Sequence, residues 1–193
     1  MTRVFIIHGW GGHPEKEWFF WLKQKLEPKG IEVHVLKMPN TDEPTIEEWV
    51  SFLREQVGEP DKNTYFVGHS IGCQTIIRYL EALPEDAKVG GAVFVSGWFT
   101  LKPIIKEEEG AEEIAEPWIK TPISWNKVRI HTKNFTAFFS DNDYYVPVEN
   151  SEIFKENLGA KIIVEKNKGH FSEEDGIKQV PYVLDELLKI IKK

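Results

Sequence analysis

The stretch Thr64-Tyr65-Phe66-Val67-Gly68-His69-Ser70-Ile71-Gly72-Cys73 decides how the chain is read. Thr64 to Val67 is an apolar run suited to a buried strand, and Ile71 to Leu83 carries a helix-like pattern directly after it. Between them stands Gly68-His69-Ser70-Ile71-Gly72, a G-x-S-x-G pentapeptide. A chain that turns from strand to helix this sharply forces the serine into a strained backbone. Small residues two positions to either side avoid the clash that follows. The serine Oγ is then lifted above the sheet edge, beside a helix N-terminus whose free N–H groups can hold an oxyanion. The alternative is that Ser70 only caps a helix after a tight turn. Residues further along the chain decide between the two.

Working outward, Arg3 to Ile7 is a continuous β-branched and aromatic run, as expected of a strand buried on both faces. It breaks at the glycine-rich His8-Gly9-Trp10-Gly11-Gly12. The spacing of Trp18, Phe19, Trp21, Leu22 and Leu26 predicts a helix over about Pro14 to Lys29, stopped by Gly30. Ile31 to Leu36 reads as a second strand. Thr45-Ile46-Glu47-Glu48 is a capping box, and the helix it opens carries Ile46, Trp49, Val50, Leu53 and Val57 on one stripe before Gly58. Gly91 to Val95, Asn134 to Phe139 and Lys161 to Glu165 supply further strands. Helices are expected over Glu149 to Leu158 and Gly176 to Ile191, with Pro181 in the first turn or at a kink of the latter. Strand and helix alternate almost throughout, which implies an α/β fold with one parallel sheet and helices on both faces, in a single domain over residues 1–193. Residues 100–127 depart from the pattern. They are rich in glutamate, proline and tryptophan, and read either as a solvated, partly helical excursion or as a flap whose aromatic residues cover a pocket.

Composition narrows the function. A chain of 193 residues with 41% hydrophobic and 28% charged residues is ordinary for a globular protein. A formal net charge of −7 argues against nucleic acid as a partner. The basic end, Lys189 to Lys193, suits the C-terminus of a helix. Cys73 is the only cysteine, so no intrachain disulfide forms, which fits a reducing, cytoplasmic setting. Its place three residues after Ser70 suits packing behind the turn. No apolar stretch reaches membrane-spanning length, and Val4 to Ile7 is too short for a signal-peptide core. No cofactor is expected: the glycine-rich loop lacks G-x-G-x-x-G and the P-loop lysine. No metal is expected either, since neither H-E-x-x-H nor a cysteine cluster occurs.

A serine hydroxyl needs a base to accept its proton, and the base needs an acid to orient it. Of the histidines, only His170 falls in a loop just after the last strand, in Lys168-Gly169-His170-Phe171. His69, inside the pentapeptide, is read as packing. The acid is expected after the preceding strand, where Ser140-Asp141-Asn142-Asp143-Tyr144-Tyr145-Val146-Pro147 offers two carboxylates. Asp143 is favoured, with Asp141 shaping the turn. The backbone N–H groups of Ile71 and Trp10 are the natural oxyanion donors. Trp10, Trp98, Trp118 and Phe171 are candidate pocket walls. These residues together describe a serine hydrolase that cleaves a small carboxylic ester, with thioester and amide left open, through an acyl-enzyme. A rival from another class is a binding or scaffold protein that keeps the fold with little turnover. Transfer of the acyl group to an acceptor other than water is a further variant.

Across nearly its whole length the chain resembles the small α/β-hydrolases of the retinoblastoma-binding-protein-9 and YdeN-like type. The resemblance rests on Val4 to Gly12, the Trp18 to Leu26 helix, Met38-Pro39, Gly68-His69-Ser70, Val95-Ser96, Pro117-Trp118, Asp143 to Pro147 and Gly169-His170-Phe171. It implies Ser70 as nucleophile, Asp143 as acid and His170 as base. It also implies a six-stranded sheet in the order 2-1-3-4-5-6, lacking the first two strands of larger hydrolases. The L-x-C-x-E motif behind the family's name is absent, so retinoblastoma binding is not implied for this chain.

Overall fold

A computed structural model describes residues 1–16 and 18–192. Six strands form one sheet: β1 (Arg3–Ile7), β2 (Glu32–Val35), β3 (Thr64–His69), β4 (Gly91–Val95), β5 (Phe135–Ser140) and β6 (Lys161–Glu165). Their order is β2-β1-β3-β4-β5-β6, and each neighbouring pair is parallel. The helices are α1 (Phe19–Leu26), α2 (Ile46–Val57), α3 (Ile71–Glu81), α4 (Ala111–Lys120), α5 (Trp125–Arg129), α6 (Asn150–Leu158) and α7 (Pro181–Ile191).

The apolar runs of the central strands supply both cores. In a strand, successive side chains point to opposite faces, so a run without polar interruption buries both. Phe5, Ile7, Phe66, Phe94, Ala137 and Phe139 pack against α2, α3 and α6 on one face. Val4, Ile6, Val67, Val93, Val95 and Phe138 pack against α1 and α7 on the other. The edge strand β6 is the exception, with Lys161 and Val164 exposed.

Three boundaries differ from the sequence pattern, each for a local reason. The helix expected from Pro14 begins only at Phe19, because His13 to Lys16 is spent on a turn closed by the Lys16 N–H on the His13 carbonyl; its last turn, Glu27–Lys29, tightens to a 3₁₀ form. The last helix begins at Pro181 rather than at Gly176. Proline suits the first helical position and disfavours helical backbone at the residue before it, and Val180 stands outside the helix at φ −131° and ψ 65°. Residues 100–127 hold a 3₁₀ turn, Pro103–Glu107, and helix α4 and the start of α5, so the excursion is largely ordered. Glu17 and Lys193, inside an expected helix and the basic end, lie outside the described residues.

Parallel pairing delivers every strand's C-terminal end to one edge, where the loops gather. Among the described residues, five non-glycine residues have positive φ (Asn40, Ser70, Ser96, Asn167 and Phe171), and all lie in loops that follow strands at this edge. Strain collected in one place marks a site.

Two substitutions test what holds these elements. Thr45 caps α2 by accepting the Glu48 N–H at 3.3 Å, while Glu48 reaches back to the Thr45 hydroxyl at 3.1 Å. Thr45→Ala is expected to lower the unfolding free energy in urea by about 1 kcal/mol. Gly72→Ala is expected to cost well more than that, because a β-carbon there would overlap the Ile7 carbonyl of β1.

Candidate active site

The strand-to-helix turn takes the form its residues demand. Ser70 sits between β3 and α3 with φ 53° and ψ −123°, a conformation side-chain-bearing residues rarely hold. A β-carbon at Gly68 would stand 2.8 Å from the Cys73 nitrogen, so only glycine lets the chain fold back here. The Ser70 N–H is held by the Val95 carbonyl of β4 at 2.9 Å. Its Oγ accepts from the indole Nε1 of Trp98 at 3.3 Å, which leaves the hydroxyl proton uncommitted. The N–H groups of Ile71 and Trp10 have no hydrogen-bond partner among the described residues.

Opposite Ser70, the loop after β6 presents His170, and the loop after β5 presents Asp143. His170 Nδ1 lies 2.9 Å from Asp143 Oδ2. A carboxylate can only accept, so Nδ1 is the donor of this bond, and in a neutral ring Nε2 then holds the lone pair. Asp143 is nearly fully buried and fully satisfied. Its Oδ2 also accepts from Ser96 Oγ at 2.9 Å, and its Oδ1 accepts the N–H groups of Tyr145 and Val146, each at 2.9 Å. Burial alone would push this carboxyl up. The hydrogen bond and charge of His170 and the two backbone donors together outweigh it and hold the carboxyl below its ordinary range. Asp141 does not reach His170; its carboxylate accepts the Asn167 N–H at 2.8 Å and shapes the turn.

His69 is part of the framework behind the pair. Its Nε2 faces the His170 carbonyl at 2.8 Å and must donate to it. Burial, together with the neighbouring His170, lowers its pKa to about 3, so it stays a neutral strut near pH 7. Trp18 packs edge-on to the His69 ring and donates Nε1 to the Phe171 carbonyl at 3.0 Å. Asp175 gathers the same loop, accepting the N–H groups of His170 and Ser172 at 2.8 and 3.1 Å and the Ser172 hydroxyl at 2.7 Å. On the other side, His8 donates Nδ1–H to the Gly9 carbonyl at 2.7 Å and accepts the Met38 N–H at Nε2, which fixes the turn carrying Trp10.

A cleft of about 410 Å³ opens over Ser70 and His170. Trp10, Phe19, Trp98, Leu101, Ile105 and Tyr145 give it apolar walls. Asp42, Glu108 and Glu174 at its border outnumber Lys16. Two expected wall residues are elsewhere, and this corrects the sequence reading. Trp118 is buried in the core, edge-on to Trp49, with Nε1 on the Pro44 carbonyl. Phe171 is buried with Val180 and Val183 on the far face of the sheet. The segment 100–127 meets the cleft through Leu101, Ile105 and Glu108 and not through its tryptophans; Trp125 packs against Phe99 instead. Cys73 is buried behind the turn, where burial pushes its thiol up and keeps it protonated. Among the described residues, no group of three or more His, Cys, Asp or Glu side chains could hold a metal ion.

Sequence reasoning missed Ser96, Asp175 and Lys102 as supports. Lys102 Nζ donates to the Asp143 carbonyl at 2.6 Å, a contact across 41 positions that no local pattern signals. Ser172 and Asp175, three apart, do carry the spacing of a side-chain-closed turn.

Comparison with known proteins gives the family and the fold. The serine hydrolase family model matches residues 4–189. The chain is 30% identical to the protein YdeN of Bacillus subtilis (strain 168), over all of this chain and 98% of that one. The crystal structure of the ydeN gene product superposes with a TM-score of 0.91, covering both chains completely. Serine hydrolase RBBP9 of Rattus norvegicus is 23% identical over 99% of this chain and 94% of its own. Est1E of Butyrivibrio proteoclasticus, solved with ferulic acid bound, shares the fold at a TM-score of 0.74 and 17% identity, with 100% and 90% of the two chains covered. The chain therefore belongs to the serine hydrolase family and has the α/β-hydrolase fold.

The neutral strut has a pH signature. His69 is uncharged when folded down to about pH 3 but takes up a proton near pH 6.5 when unfolded. The unfolded state thus binds the extra proton between these values, and stability falls as pH drops through that window. Urea titrations of His69→Asn against wild type should show the slope of stability with pH reduced by up to one proton. A second test uses hydrogen exchange: Asp175→Ala should speed exchange at the His170 and Ser172 amides while β1 and β3 stay protected.

Proposed function

We propose that this serine hydrolase cleaves a small, uncharged carboxylic ester through Ser70, His170 and Asp143. The observation that carries the reading is the Asp143–His170 bond at 2.9 Å, facing a strained serine beside unpaired backbone donors. As Ser70 Oγ attacks the ester carbonyl, His170 Nε2 takes its proton. Asp143 keeps the ring in the tautomer that can do so and stabilises the imidazolium that forms. The carbonyl oxygen becomes an oxyanion held by the N–H groups of Ile71 and Trp10. A donor so placed is worth about 3–4 kcal/mol in the transition state. His170 then passes its proton to the departing alcohol, leaving an acyl group on Ser70. Water repeats the sequence: His170 takes its proton, the new tetrahedral species collapses, and Ser70 regains its hydrogen as the acid leaves.

Esters are favoured over amides here as the first substrates to try, since an alcohol leaves more readily than an amine. The excess of carboxylates around the cleft disfavours strongly anionic substrates, although salt weakens the effect beyond about 8 Å. A thioester fits the same chemistry.

The test is fluorophosphonate labelling followed by intact mass, with turnover of p-nitrophenyl butanoate in parallel. Wild type is expected to gain one adduct, and Ser70→Ala none. Asp143→Asn should lower kcat/KM on the order of 10³–10⁴-fold, His170→Ala at least as much, and Asp141→Asn little. Adduct formation that survives Ser70→Ala would overturn the assignment.

A further inference from the structure

The cleft over Ser70 shares a wall with a second cavity. This one, of about 300 Å³, lies between the Pro103–Glu107 turn and α4. Leu101 and Ile105 line both spaces, so the two meet at a pair of aliphatic side chains. Pro103, Ala115 and Ile119 continue the apolar lining. Ile119 is left 43% exposed at the border, although Ala115 and Trp118 of the same helix are buried.

The charged groups around this cavity are already committed. Lys106 pairs with Glu112 at 2.8 Å, and Lys120 pairs with Glu116. Lys102 is spent on the Asp143 carbonyl. Between these groups, what remains open to a ligand is aliphatic. Each methylene moved from water into such a surface gains free energy in proportion to the area it buries.

We infer that this cavity is the distal subsite for a straight aliphatic acyl chain whose carbonyl stands at Ser70. Short acyl groups end in the first cleft. Longer ones pass the Leu101–Ile105 partition and lay their far end against Ile119, so the partition sets the preference for chain length. The inference rests on the reading of Ser70 as nucleophile.

The experiment compares p-nitrophenyl decanoate with the butanoate, taking the ratio of kcat/KM so that the folded fraction cancels. Ile105→Ala opens the partition and should raise the decanoate-to-butanoate ratio about tenfold. Ile119→Asp places a charge against the chain end and should lower it about tenfold. A readout independent of catalysis is the isoleucine δ-methyl spectrum of wild type titrated with decan-1-ol. The Ile105 and Ile119 signals should shift to saturation, and that of Ile77, buried in α3, should not. Unchanged ratios in both variants with the butanoate still turned over, or still methyl signals at Ile105 and Ile119, would overturn the subsite alone. Wild type that turns over neither ester would overturn the reading of Ser70 and the subsite with it.

Discussion

The contact on which the rest depends is the approach of helix α3 to strand β1. Gly72 lies so close to the carbonyls of Ile7 and His8 that no side chain fits between them. That approach forces the chain to reverse within one residue and places Ser70 at positive φ. It also brings the start of α3 beside the loop that leaves β1 and carries Trp10. In the proposed mechanism the N–H groups of Ile71 and Trp10, from segments about sixty residues apart, serve as the two oxyanion donors. The helix dipole adds its positive end at the same place. Looser packing of α3 would keep a serine but not its strained backbone.

Around this point the polar groups are buried yet accounted for, which is what makes burial useful. Asp143 accepts four hydrogen bonds, so its charge is held in a poorly solvated place without an unpaired lone pair. His69 is kept neutral, so it can brace the His170 carbonyl without adding a second positive charge to the ring it supports. Asp175 from one side and Trp18 from the other fix the loop that carries His170. Preorganisation of this kind is in place before substrate arrives, and in the proposed reaction it lets a single proton move between fixed partners.

The fold was largely legible because its signals are local. Unbroken β-branched runs mean strands buried on both faces, and Gly68 and Gly72 mean a turn that tolerates no β-carbon. The capping box at Thr45 fixes where α2 begins. Asp143, favoured over Asp141 in the sequence, takes the bond to His170, and the Val146 N–H three residues on bonds the same carboxylate. Other features depend on contacts that spacing does not encode. Trp118 and Phe171 are large, apolar and near the site in sequence, but composition does not say which face of the sheet receives them. One is claimed by Trp49 and the Pro44 carbonyl, the other by the α7 core. Ser96 and Lys102 hold Asp143 across more than forty positions, and their role emerges only when β4 and β5 lie side by side.

The most direct measurement is a crystal structure of the wild-type protein after reaction with an alkyl fluorophosphonate. The account predicts phosphorus bonded to Ser70 Oγ, with the phosphonyl oxygen within about 2.7–3.1 Å of both the Ile71 and Trp10 nitrogens. It also predicts His170 still joined to Asp143. An adduct on another residue, or a phosphonyl oxygen turned away from both backbone donors, would contradict it.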